Sequence, residues 1–265
     1  MATRVVGIVS GKGGVGKTTV AINLATSLAV HYARDVLLID ANITTSHLAV
    51  SLGIYKPEIV LNEFLKKDGY RKIKDVKFPH YLVENLQLLP ASITLKDLEG
   101  INVMNLSKVV DEIVKRKRPE IIILDSAPCL GREALASMFA SNSLIMVANP
   151  TIQSMIDIIR LVEKSSKIGV DIIGVVMNRV RGESYEINED DVKAMSGVNV
   201  IGKIPYDKKV LESLGKKKPV VIEYPTSKAS IAFINLAAFL IGEKPIIPRS
   251  RKRKVGNVIR SLLRT

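Results

Sequence analysis

The sequence contains one cysteine. Cys129 therefore has no partner for an internal disulfide, and without a C-x-x-C pair there is no ligand set for zinc or an iron–sulfur cluster. We read Cys129 as a small packing residue. Long apolar runs are also missing. No stretch reaches the ~18 consecutive apolar residues that would span a bilayer, and the run from Met1 to Ser10 is too short for a signal-peptide core followed by a cleavage site. The expected compartment is cytoplasmic. Acidic residues are in short supply, 26 Asp+Glu against 39 Lys+Arg, a net +13 in 265 residues. Such an excess points to an anionic partner: nucleic acid, acidic lipid headgroups or nucleotide phosphate. Its distribution is uneven. Arg249 to Thr265 holds seven basic residues and no acidic one, which leaves 32 basic and 26 acidic residues, a net +6, for everything before it.

The remaining composition, 47% hydrophobic and 25% charged, is that of an ordinary globular protein and argues against bulk disorder. Short runs rich in Val, Ile and Leu read as strands at Val5–Ser10, Asp35–Asp40, Leu86–Pro90, Ile121–Asp125, Ser143–Ala148, Ile172–Met177 and Val200–Pro205. Most are apolar on both faces, as in a sheet covered by helices on both sides and hence mostly parallel. Helical segments fall between them at Thr18–Ala33, Leu106–Lys117, Arg132–Ala140, Ile152–Ile168, Lys208–Leu214 and Ser227–Ile241. The alternation predicts a doubly wound α/β fold with ligands beyond the carboxyl ends of the strands. The two prolines of Gly242–Pro248 cannot continue a helix. The expected division is a domain over 1–241, a linker over 242–248 and a basic tail over 249–265.

Gly11-Lys12-Gly13-Gly14-Val15-Gly16-Lys17-Thr18 matches G-x-x-x-x-G-K-[ST] between a strand and a helix, the context this phosphate-binding motif requires. Its glycines let successive backbone N–H groups turn inward onto phosphate oxygens, and the helix that follows adds the positive end of its dipole. Lys17 supplies charge to the β- and γ-phosphates, and the Thr18 hydroxyl suits Mg²⁺. Asp125, closing the apolar strand Ile121–Asp125 beside this loop, stands where a carboxylate holds that metal. A nucleotide with Mg²⁺ is the expected cofactor.

Lys12, a second lysine inside the loop, resembles the deviant Walker A lysine of the MinD/ParA family of P-loop ATPases. The resemblance extends along the chain through Gly11–Thr19, Val36–Asp40, Leu88–Ser92, Ile122–Pro128, Asn149-Pro150, Ile204-Pro205 and the tail, and is greatest to the MinD-like proteins of archaea. It implies a SIMIBI-type P-loop fold and a homodimer closed by ATP, in which Lys12 reaches the partner's phosphates much as an arginine finger does. The resemblance also assigns roles by position. Asp40 lies next to the magnesium shell. Asp157 contacts the partner subunit. Asn178 reads the adenine edge through its donor–acceptor amide. The segment Pro205-Tyr206-Asp207 lines the other side of the base, and Thr19 belongs to the phosphate loop.

One position departs from the family. Its members carry a second Asp two residues after Asp40, which positions the attacking water; this chain has Asn42. An amide can orient water but cannot accept its proton. The expectation is normal ATP binding with slow or absent hydrolysis.

In the tail, Val255, Val258, Ile259, Leu262 and Leu263 fall at i, i+3, i+4, i+7 and i+8, one stripe of a helix, behind Arg251-Lys252-Arg253-Lys254. A basic amphipathic helix of this kind suits an anionic membrane surface. Each cation near such a leaflet contributes ~1 kcal/mol, and two tails joined in an ATP dimer bind far better than one. The protein is thus expected on the inner face of the cell membrane, positioning a machine such as the division site, with a protein partner that the sequence does not name. The rival readings are a ParA-like partition ATPase that binds DNA non-specifically, an iron–sulfur scaffold ATPase that the missing cysteine pair disfavours, and a non-hydrolysing adaptor.

Overall fold

The computed structural model describes residues 2–246 and 248. Eight strands form one sheet: β1 (Arg4–Val9), β2 (Val36–Ala41), β3 (His80–Tyr81), β4 (Val83–Leu89), β5 (Ile121–Ser126), β6 (Ser143–Ala148), β7 (Asp171–Val180) and β8 (Val200–Pro205). Their spatial order is β3-β4-β2-β5-β1-β6-β7-β8. Seven strands run parallel, and only the two-residue β3 pairs antiparallel, against β4. The seven expected strands are present, and β3 is the addition. It is too short to carry an alternation pattern of its own.

Period-two alternation sends neighbouring residues to opposite helical layers. Val6, Ile8, Ile123, Ile145 and Val147 pack with helix α1 (Lys17–Tyr32) and helix Lys228–Ile241. Val5, Leu37, Ile39, Ile122 and Leu124 pack beneath Leu61–Leu65 and Leu106–Arg116. Leu144, Met146 and Met177 meet the helix Ile152–Ile168. Every residue of β2, β5 and β6 is buried, which is why these strands lack a polar face.

The expected helices are all present, with Lys228 rather than Ser227 as the first residue of the last one. Helix Glu189–Ser196 was not anticipated. Its signal is local: the Asn188 side chain and the Asp191 backbone and carboxylate form a reciprocal capping box.

Because β1 lies between β5 and β6, the chain moves to one side of it for β2 and to the other for β6, β7 and β8. That reversal opens a crevice at the carboxyl end of β1, where the phosphate motif begins. At the opposite, amino edge of the sheet, Arg34 pairs with Glu120 at 3.3 Å and with Glu243. There Ile246 N also donates to Tyr32 Oη at 3.2 Å. The segment that leads toward the tail thus lies at the far end of the sheet from the phosphate motif. Val255, Val258, Ile259, Leu262 and Leu263 lie outside the described residues.

Candidate functional site

The phosphate motif joins β1 to α1 in a tight curl. Gly14 (φ 77°) and Gly16 (φ 100°) hold left-handed backbone conformations. A Cβ on Gly16 would collide with the side-chain nitrogen of Asn178, and one on Gly11 with the side chain of Asp157. Gly16 is also the N-cap of α1, and no side chain caps that helix. By contrast, the helices starting at Ile152, Lys208 and Lys228 are capped by the side chains of Thr151, Asp207 and Ser227. The start of α1 is left open to an anion.

Lys17 is buried, and its Nζ donates to Ser10 Oγ at 2.9 Å. That hydroxyl in turn donates to the Lys12 carbonyl at 2.7 Å. Burial pushes the Lys17 ammonium below its usual pKa, with Asp125 pulling it back up. Gly13, Gly14 and Lys12 are exposed, and Val15 is buried beneath the curl. Lys12 and Lys17 therefore differ sharply: one faces solvent and the other is enclosed.

Asp40 and Asp125 are register partners on β2 and β5. Both are buried. Burial, with Asp40 alongside, pushes Asp125 up to about 7, while the Thr18 hydroxyl and Lys17 act in the opposite direction. Burial likewise raises Asp40 to about 6, opposed by its hydrogen bonds. Asp40 accepts from Ser46 Oγ at 2.6 Å, Asn42 N at 3.1 Å and Leu48 N at 3.3 Å. Asp125 Oδ1 is buried with no hydrogen-bond partner among the described residues.

Asn42 is turned into its own loop. Its Nδ2 donates to the Thr45 carbonyl at 2.7 Å, and its Oδ1 accepts from Thr45 Oγ1 at 2.9 Å. The same loop is gripped by Glu133, whose carboxylate accepts from Ile43 N at 2.9 Å, Thr44 N at 3.3 Å and the Thr44 hydroxyl. Sequence reasoning missed Glu133. Its only local signal is an acidic residue in a helix's first turn, which helix dipoles favour everywhere.

On the other flank, Asn178 is buried at the end of β7. Its Nδ2 donates to the Val15 carbonyl at 2.7 Å, and its Oδ1 accepts from Arg179 N at 3.0 Å. A cleft beside it is lined by Thr19, Asn178, Pro205, Tyr206, Leu211 and Phe233 among others, with the Arg181 guanidinium stacked 4.8 Å from the Tyr206 ring centroid. Asp207 borders this cleft, but its carboxylate is occupied by Lys209 N at 2.8 Å and Ala229 N at 3.2 Å, so it secures two helix starts. Asp157 lies against Gly11 of its own chain, lining a crevice with Lys12.

Cys129 is not a packing residue. It is exposed, has φ 65°, and its N–H donates to the Ser10 carbonyl at 3.1 Å. The turn after β5 thereby docks on the phosphate motif and carries the thiol outward.

Residues 6–220 match the model of the CobQ/CobB/MinD/ParA nucleotide-binding domain. The chain belongs to the MinD/ParA family. It is 34% identical over 239 residues to an uncharacterised ATP-binding protein of Methanocaldococcus jannaschii, covering 90% of this chain and 88% of that one. The structure of the septum site-determining protein MinD of Pyrococcus horikoshii, complexed with Mg-ADP, superposes with a TM-score of 0.82 at 29% identity, covering 90% of this chain and 96% of that chain. A chain of the MinC:MinD cell division protein complex of Aquifex aeolicus gives 0.79 at 27% identity, covering 93% of this chain and 99% of that one.

The residues of this MinD/ParA-family chain fit a nucleotide with Mg²⁺. The unpartnered oxygen of Asp125, with Thr18 beside it and Asp40 behind, is a hard-oxygen set suited to a cation that takes most of its ligands from phosphate and water. Among the described residues no group of three or more His, Cys, Asp or Glu side chains forms a metal cage, as such a site requires none.

Proposed function

We propose that this MinD/ParA-family protein binds ATP with Mg²⁺ at the β1–α1 loop and uses the bound nucleotide to form a homodimer that attaches reversibly to an anionic membrane surface. It thereby positions a cellular machine, the cell-division site being one candidate. The observation that carries the reading is the contrast between the two loop lysines. Lys17 is enclosed at the phosphate position, while Lys12 stands exposed on the same loop, available to a second subunit. Ile152 and Ile156, 66% and 46% exposed on the helix that carries Asp157, supply apolar surface next to it. A dimer face at this position is the natural place for those side chains to be covered.

Within the site, Lys17 and the open start of α1 hold the phosphates, and Gly11, Gly13, Gly14, Val15 and Gly16 shape the cradle. Thr18 and Asp125 hold the metal, with Asp40 in support. Bound Mg²⁺ neutralises phosphate charge. Asn178, Thr19, Pro205 and Asp207 border the base. Asn42 occupies the place of the water-positioning carboxylate, which makes hydrolysis slow, and a long-lived ATP dimer follows from that.

The division into a domain over 1–241, a linker over 242–248 and a tail over 249–265 belongs to the same proposal. Glu243 and Ile246 fasten the start of the linker at the amino edge of the sheet. Nucleotide at the carboxyl edge then acts on the tail by pairing two chains, through effective concentration rather than direct contact. No helix among the described residues is long and apolar enough to cross a membrane, so attachment is peripheral and falls to the tail. The test is co-sedimentation of the full chain with vesicles containing anionic lipid. Pelleting with ATP and Mg²⁺ but not with ADP supports the reading. Protein left in the supernatant under both conditions overturns it, and ATP-dependent retention on non-specific DNA instead would favour the partition-type alternative.

A further inference from the structure

The loop that carries Asn42 is held by two carboxylates from two different elements. Asp40, at the end of β2, takes its ends through Asn42 N, Ser46 Oγ and Leu48 N. Glu133, 90 residues away in sequence, takes its centre through Ile43 N and the backbone and hydroxyl of Thr44. A Glu in the first turn of a helix is ordinarily explained by the dipole alone. Here its carboxylate is turned onto another element, and three donors converge on it, two of them backbone amides. Hydrogen bonds to an ionised acceptor are about twice as strong as neutral ones.

Between the two elements lies a cavity of about 280 Å³. Asn42, Thr44 and Thr45 line one wall, and Ala127, Pro128 and Glu133 line the other. A water needs only about 10–15 Å³ of such space, so this has room for several solvent molecules. Its lining residues Asn42 and Ala127 each stand two positions after a member of the register pair Asp40–Asp125. Glu133 is bonded directly to the loop at one edge of this cavity.

We propose that Glu133 is a positioning residue that ties the Asn42–Ser46 loop to the segment following β5 and so sets where Asn42 stands at the cavity lined by both. This rests on the nucleotide-site reading above and deepens it. Glu133 acts through the loop and touches no nucleotide. Its reach to the Ile43 and Thr44 amides matters more than its charge.

The test uses the full chain with Glu133→Ala, Glu133→Gln and Glu133→Asp, each with and without Asn42→Asp. Affinity is read with a fluorescent ATP analogue, and chemistry by single-turnover ATP hydrolysis. Misplacing a positioned group costs rate rather than affinity. Glu133→Ala and the shorter Glu133→Asp are expected to slow turnover about tenfold or more, with ATP affinity held within about twofold. Glu133→Gln keeps the reach, because its amide oxygen still accepts from both N–H groups, and recovers most of the rate. If Glu133→Ala does not fold, the comparison of Glu133→Gln with Glu133→Asp decides. Equal rates in those two, wild-type turnover in Glu133→Asp, or a loss of affinity that matches the loss of rate would each overturn the proposal. So would ATP binding without turnover in both the Asn42 and the Asn42→Asp backgrounds. Absence of nucleotide binding in every form, the wild type included, would instead overturn the nucleotide-site reading itself.

Discussion

Asp40 and Asp125 face each other as register partners on β2 and β5, two buried carboxylates at the carboxyl edge of one sheet. Burial raises both carboxyls above the ordinary carboxylate range, and the neighbouring Asp40 adds to the rise at Asp125, so each binds its proton more tightly than in the unfolded chain. A divalent cation bound beside the pair would favour the ionised forms of both.

Stability should therefore depend on pH in a defined direction. Both folded pKa values lie above the ordinary 3.8, at about 6 and about 7. The contribution from protonation is complete below 3.8 and is lost as pH rises through about 6 to about 7. The nucleotide-free protein should melt lower at pH 8 than at pH 5.5. Asp125→Asn should flatten that slope, and Mg-ATP should reduce it in the wild type. Thermal melts of both proteins across this range provide the measurement, and identical slopes would contradict the account.

Gly14 and Gly16 share a left-handed backbone, but only Gly16 has a neighbour where its Cβ would go. Gly14→Ala should cost about 1–2 kcal/mol from backbone strain alone. Gly16→Ala should cost more, and Asn178→Ala in the same chain should recover part of the difference. Denaturant melts of the three variants measure this. Equal costs for the two glycines would mean that Asn178 is not the obstacle.

Asn42→Asp introduces the carboxylate that the family resemblance implies at this position. Single-turnover ATP hydrolysis should rise by about 10²-fold or more, the usual scale for a group that handles the attacking water's proton. ATP affinity should change little. A wild-type rate that the substitution leaves unchanged would show that position 42 does not limit the reaction.

Cys129 offers a direct reporter of occupancy. It is the only cysteine in the chain, it is exposed, and its turn is pinned to the Ser10 carbonyl of the phosphate motif. Maleimide labelling should slow when Mg-ATP is added, and Lys17→Ala should abolish that protection. Cys129→Ala should bind ATP normally, because no role in the site falls to the thiol. Labelling that ignores nucleotide would place the ligand elsewhere.

Much of this molecule is legible locally. The glycines and lysines of Gly11–Thr18 stand consecutively, so their chemistry can be read from spacing. The strands read as apolar on both faces because helices cover both sides, and Asp125 stood out as a carboxylate near the carboxyl end of such a strand. Asn42 drew notice only through the family resemblance, which implies an Asp two residues after Asp40. The capping box of Asn188 and Asp191 was equally local, though it was not recognised as a helix start.

Tertiary structure alone decided the pairings between distant segments. Alternation shows that a strand is covered but not which strand lies beside it, so the contact of Asp40 with Asp125 had to come from the register of β2 against β5. The reach of Glu133 to Ile43 and Thr44 spans 90 residues and two elements. The exposure of Cys129 depends on a left-handed turn held by Ser10, and Asp207 spends its carboxylate on two helix starts, one of them 22 residues away. Periodicity records burial of a residue's own face, whereas hydrogen bonds across the fold depend on which elements the chain folds next to each other.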